Sequence, residues 1–185
     1  MGNTSATGGY LSPVSGTAPA EDAALDAILQ AAVVAITGLP GDMVRPRWQA
    51  IVPQQPEPTA DWCAIGITAA APVDYPAEVM ASDGLTAAQQ RQEHLRVKAS
   101  FYGPNAMGNA ALLRAGLYIS QNRDVLVSNG IDLTDASSIV AAPALINQQW
   151  VRRYDLDIRL RRASAIEFPI ESLQSAPVSI TTDSP

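Results

Sequence analysis

The stretch Asn147–Arg162, NQQWVRRYDLDIRLRR, constrains the fold more than any other part of the chain. Read with period two, Trp150, Tyr154, Leu156, Ile158 and Leu160 fall on one face, with Arg152 and Arg162 at its ends. Arg153, Asp155, Asp157, Arg159 and Arg161 fall on the other. A long β-strand with one buried face requires this alternation, whereas a helix would scatter the same residues around its circumference. The outer row carries charges of both signs and almost nothing neutral. It is either a plain solvated face or a surface built to meet a complementary one.

The rest of the chain supplies partners for that strand. Residues 1–19 are rich in Gly, Ser, Thr and Pro without periodicity and read as a flexible N-terminal arm. A first helix is expected from Pro19, with Glu21 and Asp22 in its first turn and Leu25, Ile28, Leu29, Ala32, Val33 and Ile36 as its apolar stripe. Gly38 and Pro40 end it. Met43–Ile51 reads as a strand that Pro46 confines to a sheet edge or bulge. Trp62–Ala70 reads as a second strand pairing back on the first, and residues 71–90 as a long loop. In Gln92–Phe101 the alternation returns, with His94, Arg96, Lys98 and Ser100 facing outward.

A second helix is expected from Pro104 to about Asn122, burying Met107, Ala111, Leu112, Ala115, Leu117 or Tyr118, and Ile119, with a short helical piece at Asp124–Val127. Ser137–Ala142 is a modest fourth strand, the opening stretch a fifth, and Ser164–Ile170 repeats the alternation. Val178–Thr181 would add a short strand in the tail. Most connections are too short for parallel crossovers. The expectation is an α+β fold: a mainly antiparallel sheet of about five or six strands with two main helices packed on one face. Residues 20–175 form the expected single domain, and 176–185 a C-terminal tail.

Composition matters for what the chain can act on. A net charge of −6 argues against a dedicated nucleic-acid binder, and charged residues make up only 16%, below the roughly 25% usual for soluble domains. Five of the twelve basic residues nevertheless lie between Arg152 and Arg162. No apolar run approaches the roughly 18 residues of a membrane span, and no signal-peptide pattern opens the chain, so a soluble protein made in a cytoplasm is expected.

Chemistry has few candidates. The single Cys63 lies in an apolar strand and the single His94 on the polar side of another. A small hydrolase using a Cys63–His94 dyad is the reading from the enzyme class, and no third group or oxyanion hole accompanies it. No His, Cys, Asp or Glu cluster has metal-ligand spacing and no phosphate loop is present, so no cofactor is expected. The row Arg153, Asp155, Asp157, Arg159 and Arg161 is then a candidate subunit interface, one copy's positive patch meeting another's negative one. Arg161 and Arg162, unbalanced at its end, are the candidates to face a lumen or DNA. Sequence-specific nucleic-acid recognition is not expected, nor is a membrane partner.

The segments GLPGDMVRPRWQ, DWCAIGI, FYGPNAMGNAALLRAGLYISQNRDVL and INQQWVRRYDLDIRLRR, in that order, resemble the neck (tail) terminator proteins of tailed bacteriophages over roughly residues 20–175. The YGP turn leading into a helix that ends in QNR, and the NQQW-x-RRYD strand, are the most specific parts. The resemblance implies a small non-enzymatic α+β subunit of the virion neck, forming a hexameric ring between the tail tube and the head-completion proteins. Such a ring stops tube growth and presents a joining surface to the head, with non-specific proximity to genomic DNA in its lumen. A head-completion subunit (stopper or adaptor) is the structural alternative.

Overall fold

A computed structural model describes residues 10–170 other than 50, 52, 74, 83 and 147. The chain is α+β, with a six-stranded, mostly antiparallel sheet in the order β1-β2-β4-β8-β5 and β3 also paired with β4. It divides into two compact units. One comprises residues 19–75 and 91–164; the other comprises, of the described residues, 10–18, 76–90 and 165–170.

The larger unit opens with α1 (Asp22–Thr37), whose Leu25, Leu29, Ala32 and Val33 are buried. Gly38 ends it in the left-handed conformation, its N–H returning to the Val34 carbonyl. β1 is only Val44–Pro46, and Pro46 sits on a sheet edge, where its missing N–H costs no ladder bond. β1 pairs with β2 (Trp62–Pro72) in parallel, Val44 opposite Cys63, not as the expected hairpin. The intervening residues 47–61 are long enough to carry the chain back to the same end of the sheet.

β4 (Thr86–Tyr102) runs antiparallel to β2, from Trp62 opposite Tyr102 to Pro72 opposite Glu93. β8 (Arg153–Pro169) follows in the sheet, and β5 (Ile131–Ala141) pairs antiparallel with it, Ile131 opposite Arg162. The separate alternations expected at 147–162 and 164–170 are therefore largely one strand. Cys63 and Ile65 of β2, Leu95, Val97, Ala99 and Phe101 of β4, and Leu156, Ile158 and Leu160 of β8 form one core with the helices.

α2 (Ala106–Leu117) buries Ala106, Ala110, Leu113, Gly116 and Leu117. Of the expected set Leu117 is buried, whereas Met107, Leu112 and Ile119 are exposed. Gly116 lets this face come close to α1, since a Cβ there would overlap Ile36 Cγ2, while Leu113 and Leu117 beside it supply the buried bulk. The short helix α3 (Asp124–Val127) buries Leu126.

The opening stretch is not a single strand. β6 (Ala144–Ile146) and β7 (Gln149–Val151) form a small hairpin of their own, Leu145 opposite Trp150. The chain breaks at Arg152 before β8 begins, and the parity changes there. Val151 is buried while Trp150 is 74% exposed, so Trp150 does not join the core face.

In the smaller unit, β3 (Ala77–Met80) pairs antiparallel with Ala87–Gln90 of β4. Part of the expected 71–90 loop is thus a hairpin, and β3 is exposed along its length. Of the N-terminal arm, Val14 N–H donates to the Glu167 carbonyl, and Glu167 N–H donates to Thr17 Oγ1. Residues 1–9 and the tail with its expected Val178–Thr181 strand lie outside the described residues. None of the helices among the described residues is long and apolar enough to cross a membrane.

Candidate assembly surface

The helices cover one face of the sheet in the larger unit, which leaves the opposite face of β2, β4 and β8 to meet something else. At its β8 start, Arg153 grips Asp155 through two bonds, Nε to Oδ1 and Nη2 to Oδ2, both 2.8 Å. This fork-to-fork geometry is the strong form of the guanidinium–carboxylate pair. Arg153 also lies over the Tyr102 ring, 5.6 Å from its centroid, and Tyr102 stacks on Trp62 at 4.2 Å with planes 7° apart. Ser100 Oγ accepts from Arg47 Nη2 at 2.5 Å.

The Asp155 side chain is 12% exposed. Burial alone would raise its carboxyl. Hydrogen bonds from Arg153 and Ser100, with the charges of Arg153 and Lys98, outweigh that and hold it below the ordinary carboxylate range. Asp157 is fully outward and pairs with Lys98 Nζ at 3.4 Å. Both acids of the row are therefore engaged within the subunit.

The bases further along are not. Arg159 and Arg161 are exposed, and among the described residues no carboxylate lies within ion-pair distance of either. Arg159 shares a shallow depression of about 460 Å³ with His94 and Arg96, floored by Ala69 and Ala71. The row expected to be balanced is thus divided. Its first half is neutralised by short ion pairs, and in its second half Arg159 and Arg161 stand opposite Asp135 and Asp132 of β5 but outside ion-pair distance of them.

Arg162 does not stand with Arg159 and Arg161, which corrects its assignment as a lumen- or DNA-facing residue. It is 3% exposed and on the inner face. Its Nη2 lies 2.6 Å from both Glu21 Oε1 and Glu93 Oε2, its Nε donates to Glu93 at 3.1 Å, and its Nη1 donates to the Ala20 carbonyl at 2.8 Å. Burial would lower its pKa, but the two carboxylates more than offset this and raise it. The residue staples the start of α1 to the sheet. The period-two reading carried that signal, because Arg162 shares parity with Leu156, Ile158 and Leu160.

Cys63 and His94 do not meet. Cys63 is wholly buried on the inner face, opposite Phe101, and burial pushes its thiol far up, away from the thiolate a nucleophile needs. His94 is on the outer face, an odd number of residues from Phe101 on the same strand. Among the described residues no group of three or more His, Cys, Asp or Glu is placed to hold a metal ion. Lys98 and Ser100 belong to the polar strand face expected from the sequence and Tyr102 follows it, but their partners on β8 lie over 50 residues away and no local pattern marks them.

Residues 23–184 match the family described as phage neck terminator protein. No curated protein matches the chain.

Proposed function

The chain belongs to the phage neck terminator protein family, and from that premise we propose that it is a ring-forming structural subunit which caps the tail tube and joins it to the head-completion proteins. As a phage neck protein its place is the neck of the virion; assembly would take place in the host cytoplasm. Its action is assembly rather than catalysis, and no cofactor takes part.

The observation that carries this reading is the divided face of the sheet. Arg153, Asp155 and Asp157 hold a fixed, internally neutralised platform. Arg159 and Arg161 stand beside it, opposite Asp135 and Asp132 of β5 but with no carboxylate of the described residues within ion-pair distance, on a chain whose net charge is −6. An acidic surface of the next copy satisfies them, and the head-to-tail repetition of such a contact closes a ring. Six copies is the stoichiometry we propose. Arg161 is the residue of the row left to face DNA in the lumen, as a non-specific, salt-sensitive contact.

Light scattering on the purified protein, with electron microscopy of the same sample, tests this. The expected mass is about six times the 19.5 kDa of one chain, in ring-shaped particles. A protein that stays monomeric at high concentration and fails to join purified tails would overturn the proposal.

A further inference from the structure

On the outer side of the sheet edge, within the larger unit, lies an open groove of about 570 Å³ between Trp48 and Trp62. Pro46, Pro53 and Pro56 contribute to its walls and Arg45 and Arg47 supply its charge; no acidic residue lines it. The groove is a built feature. Trp48 donates its indole N–H to the Ile67 carbonyl at 3.2 Å, which fixes the ring while leaving the residue 65% exposed. Trp62 is held flat against Tyr102. Gly66 seats Arg47, since a Cβ there would come within 2.9 Å of Arg47 Cβ.

Charge separates the classes of occupant. The Arg45 guanidinium is committed to the Asp42 and Gln54 carbonyls. Arg47 gives Nη2 to Ser100, and its Nε is buried with no acceptor among the described residues. Neither Arg45 nor Arg47 has a carboxylate within ion-pair distance among the described residues, so the charge of the groove is left for an anionic group to meet. Two guanidinium charges without carboxylates and a proline-rich, apolar wall suit an extended peptide with a carboxylate. A nucleic-acid strand needs a run of cations along its backbone, which the groove lacks.

We infer that this groove receives residues 171–185 of a second copy of the chain. That segment, ESLQSAPVSITTDSP, carries Glu171 and Asp183, no basic side chain, and the apolar run Pro177, Val178 and Ile180. Residues 1–9, the other run at an end of the chain outside the described structure, carry no acidic side chain and lack the required sign. Fully extended, residues 171–185 span about 50 Å, a reach suited to crossing onto a neighbouring subunit. Aromatic planes and proline rings then hold the apolar run while a carboxylate meets the charge of Arg45 and Arg47. The inference rests on the reading that copies of this chain assemble.

The test uses full-length protein carrying Glu171→Gln and Asp183→Asn, which frees its own grooves, titrated with a fluorescein-labelled synthetic peptide of residues 171–185. Saturable binding is expected, weakened at least tenfold when Trp48→Ala is added to the receptor, and at least tenfold when the peptide carries the same two amide substitutions. Circular dichroism checks that the Trp48→Ala receptor is folded; should it unfold, a photo-crosslinker at peptide position Val178 must map to residues 45–62. Binding indifferent to Trp48, cross-links elsewhere, or oligothymidylate binding that depends on Trp48 in place of peptide binding overturns the inference. Rings without peptide binding sink the groove assignment alone. Peptide binding by the variant, with wild-type protein that stays strictly monomeric at high concentration, upholds the groove as the segment's receptor and sinks the ring.

Discussion

Arg153 and Arg162 stand on the same strand, an odd number of residues apart, and each engages carboxylate through more than one nitrogen. The odd spacing sends them to opposite faces. Arg162 enters the apolar side, where two glutamates and a backbone carbonyl from distant parts of the chain surround it. Arg153 stays at the outer surface, half-buried, with one aspartate two residues away on its own strand. One cation therefore joins elements that are far apart in sequence, and the other stiffens a surface. Basic residues that look alike along a sequence divide into architecture and interface according to parity and to what lies across the sheet.

The largest effect expected from breaking this comparison is at Arg162. Arg162→Met removes the cation and leaves Glu93, whose side chain is only 20% exposed, without its partner. Loss of one member of a buried pair costs about 3 kcal/mol or more. Urea unfolding followed by circular dichroism should show the midpoint fall accordingly. A loss below about 1 kcal/mol, the scale of an exposed pair, would erase the distinction between the two arginines.

Asp155 comes next. Asp155→Asn keeps the shape but loses the charge-assisted bonds from Arg153, for an expected loss of about 1–2 kcal/mol at neutral pH. Its folded pKa lies below the ordinary value, so the ionised form is favoured by folding. The stabilisation is complete above the ordinary carboxylate pKa of about 3.9 and disappears as pH falls through the lowered one. The wild-type protein should thus lose stability below about pH 4, and Asp155→Asn should lose less over the same range. Equal acid sensitivity in the two proteins would mean that Asp155 is not the group being titrated.

These contrasts also mark what a sequence can disclose. Alternation disclosed β8 and the outward set of β4, because a half-buried strand writes its two faces into every second residue. It placed Arg162 with the core residues, though the weight of five clustered bases argued for a surface. The β3 hairpin left no such trace, since Ala77–Met80 are exposed on both faces and no burial selects their order. On α2 large apolar residues lie outside as well as inside, and the packing face is the one where Leu113 and Leu117 flank the close approach that Gly116 allows. Trp150 was misplaced because the strand period was carried through Arg152, where the chain changes element. Most ion-pair partners (Lys98 for Asp157, Glu21 and Glu93 for Arg162) are set by sheet order, which short-range patterns do not encode.

The smallest effect on stability is expected where the effect on assembly should be large. Arg159→Glu with Arg161→Glu alters two exposed side chains that hold no carboxylate within the subunit, so unfolding free energy should change by no more than about 0.5 kcal/mol per site. Like charges brought together across a contact are strongly unfavourable, and if the cationic half of the face meets an acidic neighbour, assembly should weaken at least tenfold, about 1.4 kcal/mol. Sedimentation velocity across a concentration series measures this, beside the unfolding curve of the same sample. Reversing Lys98 instead perturbs an internal pair, since its charge is already taken up by Asp157, and should weaken assembly less. The ordering of the variants matters more than any single value. If Lys98→Glu disrupts assembly as much as the double arginine variant does, the face acts as one undivided patch. If only the arginines matter, internal pairing has decided which part of the strand is free to find a partner.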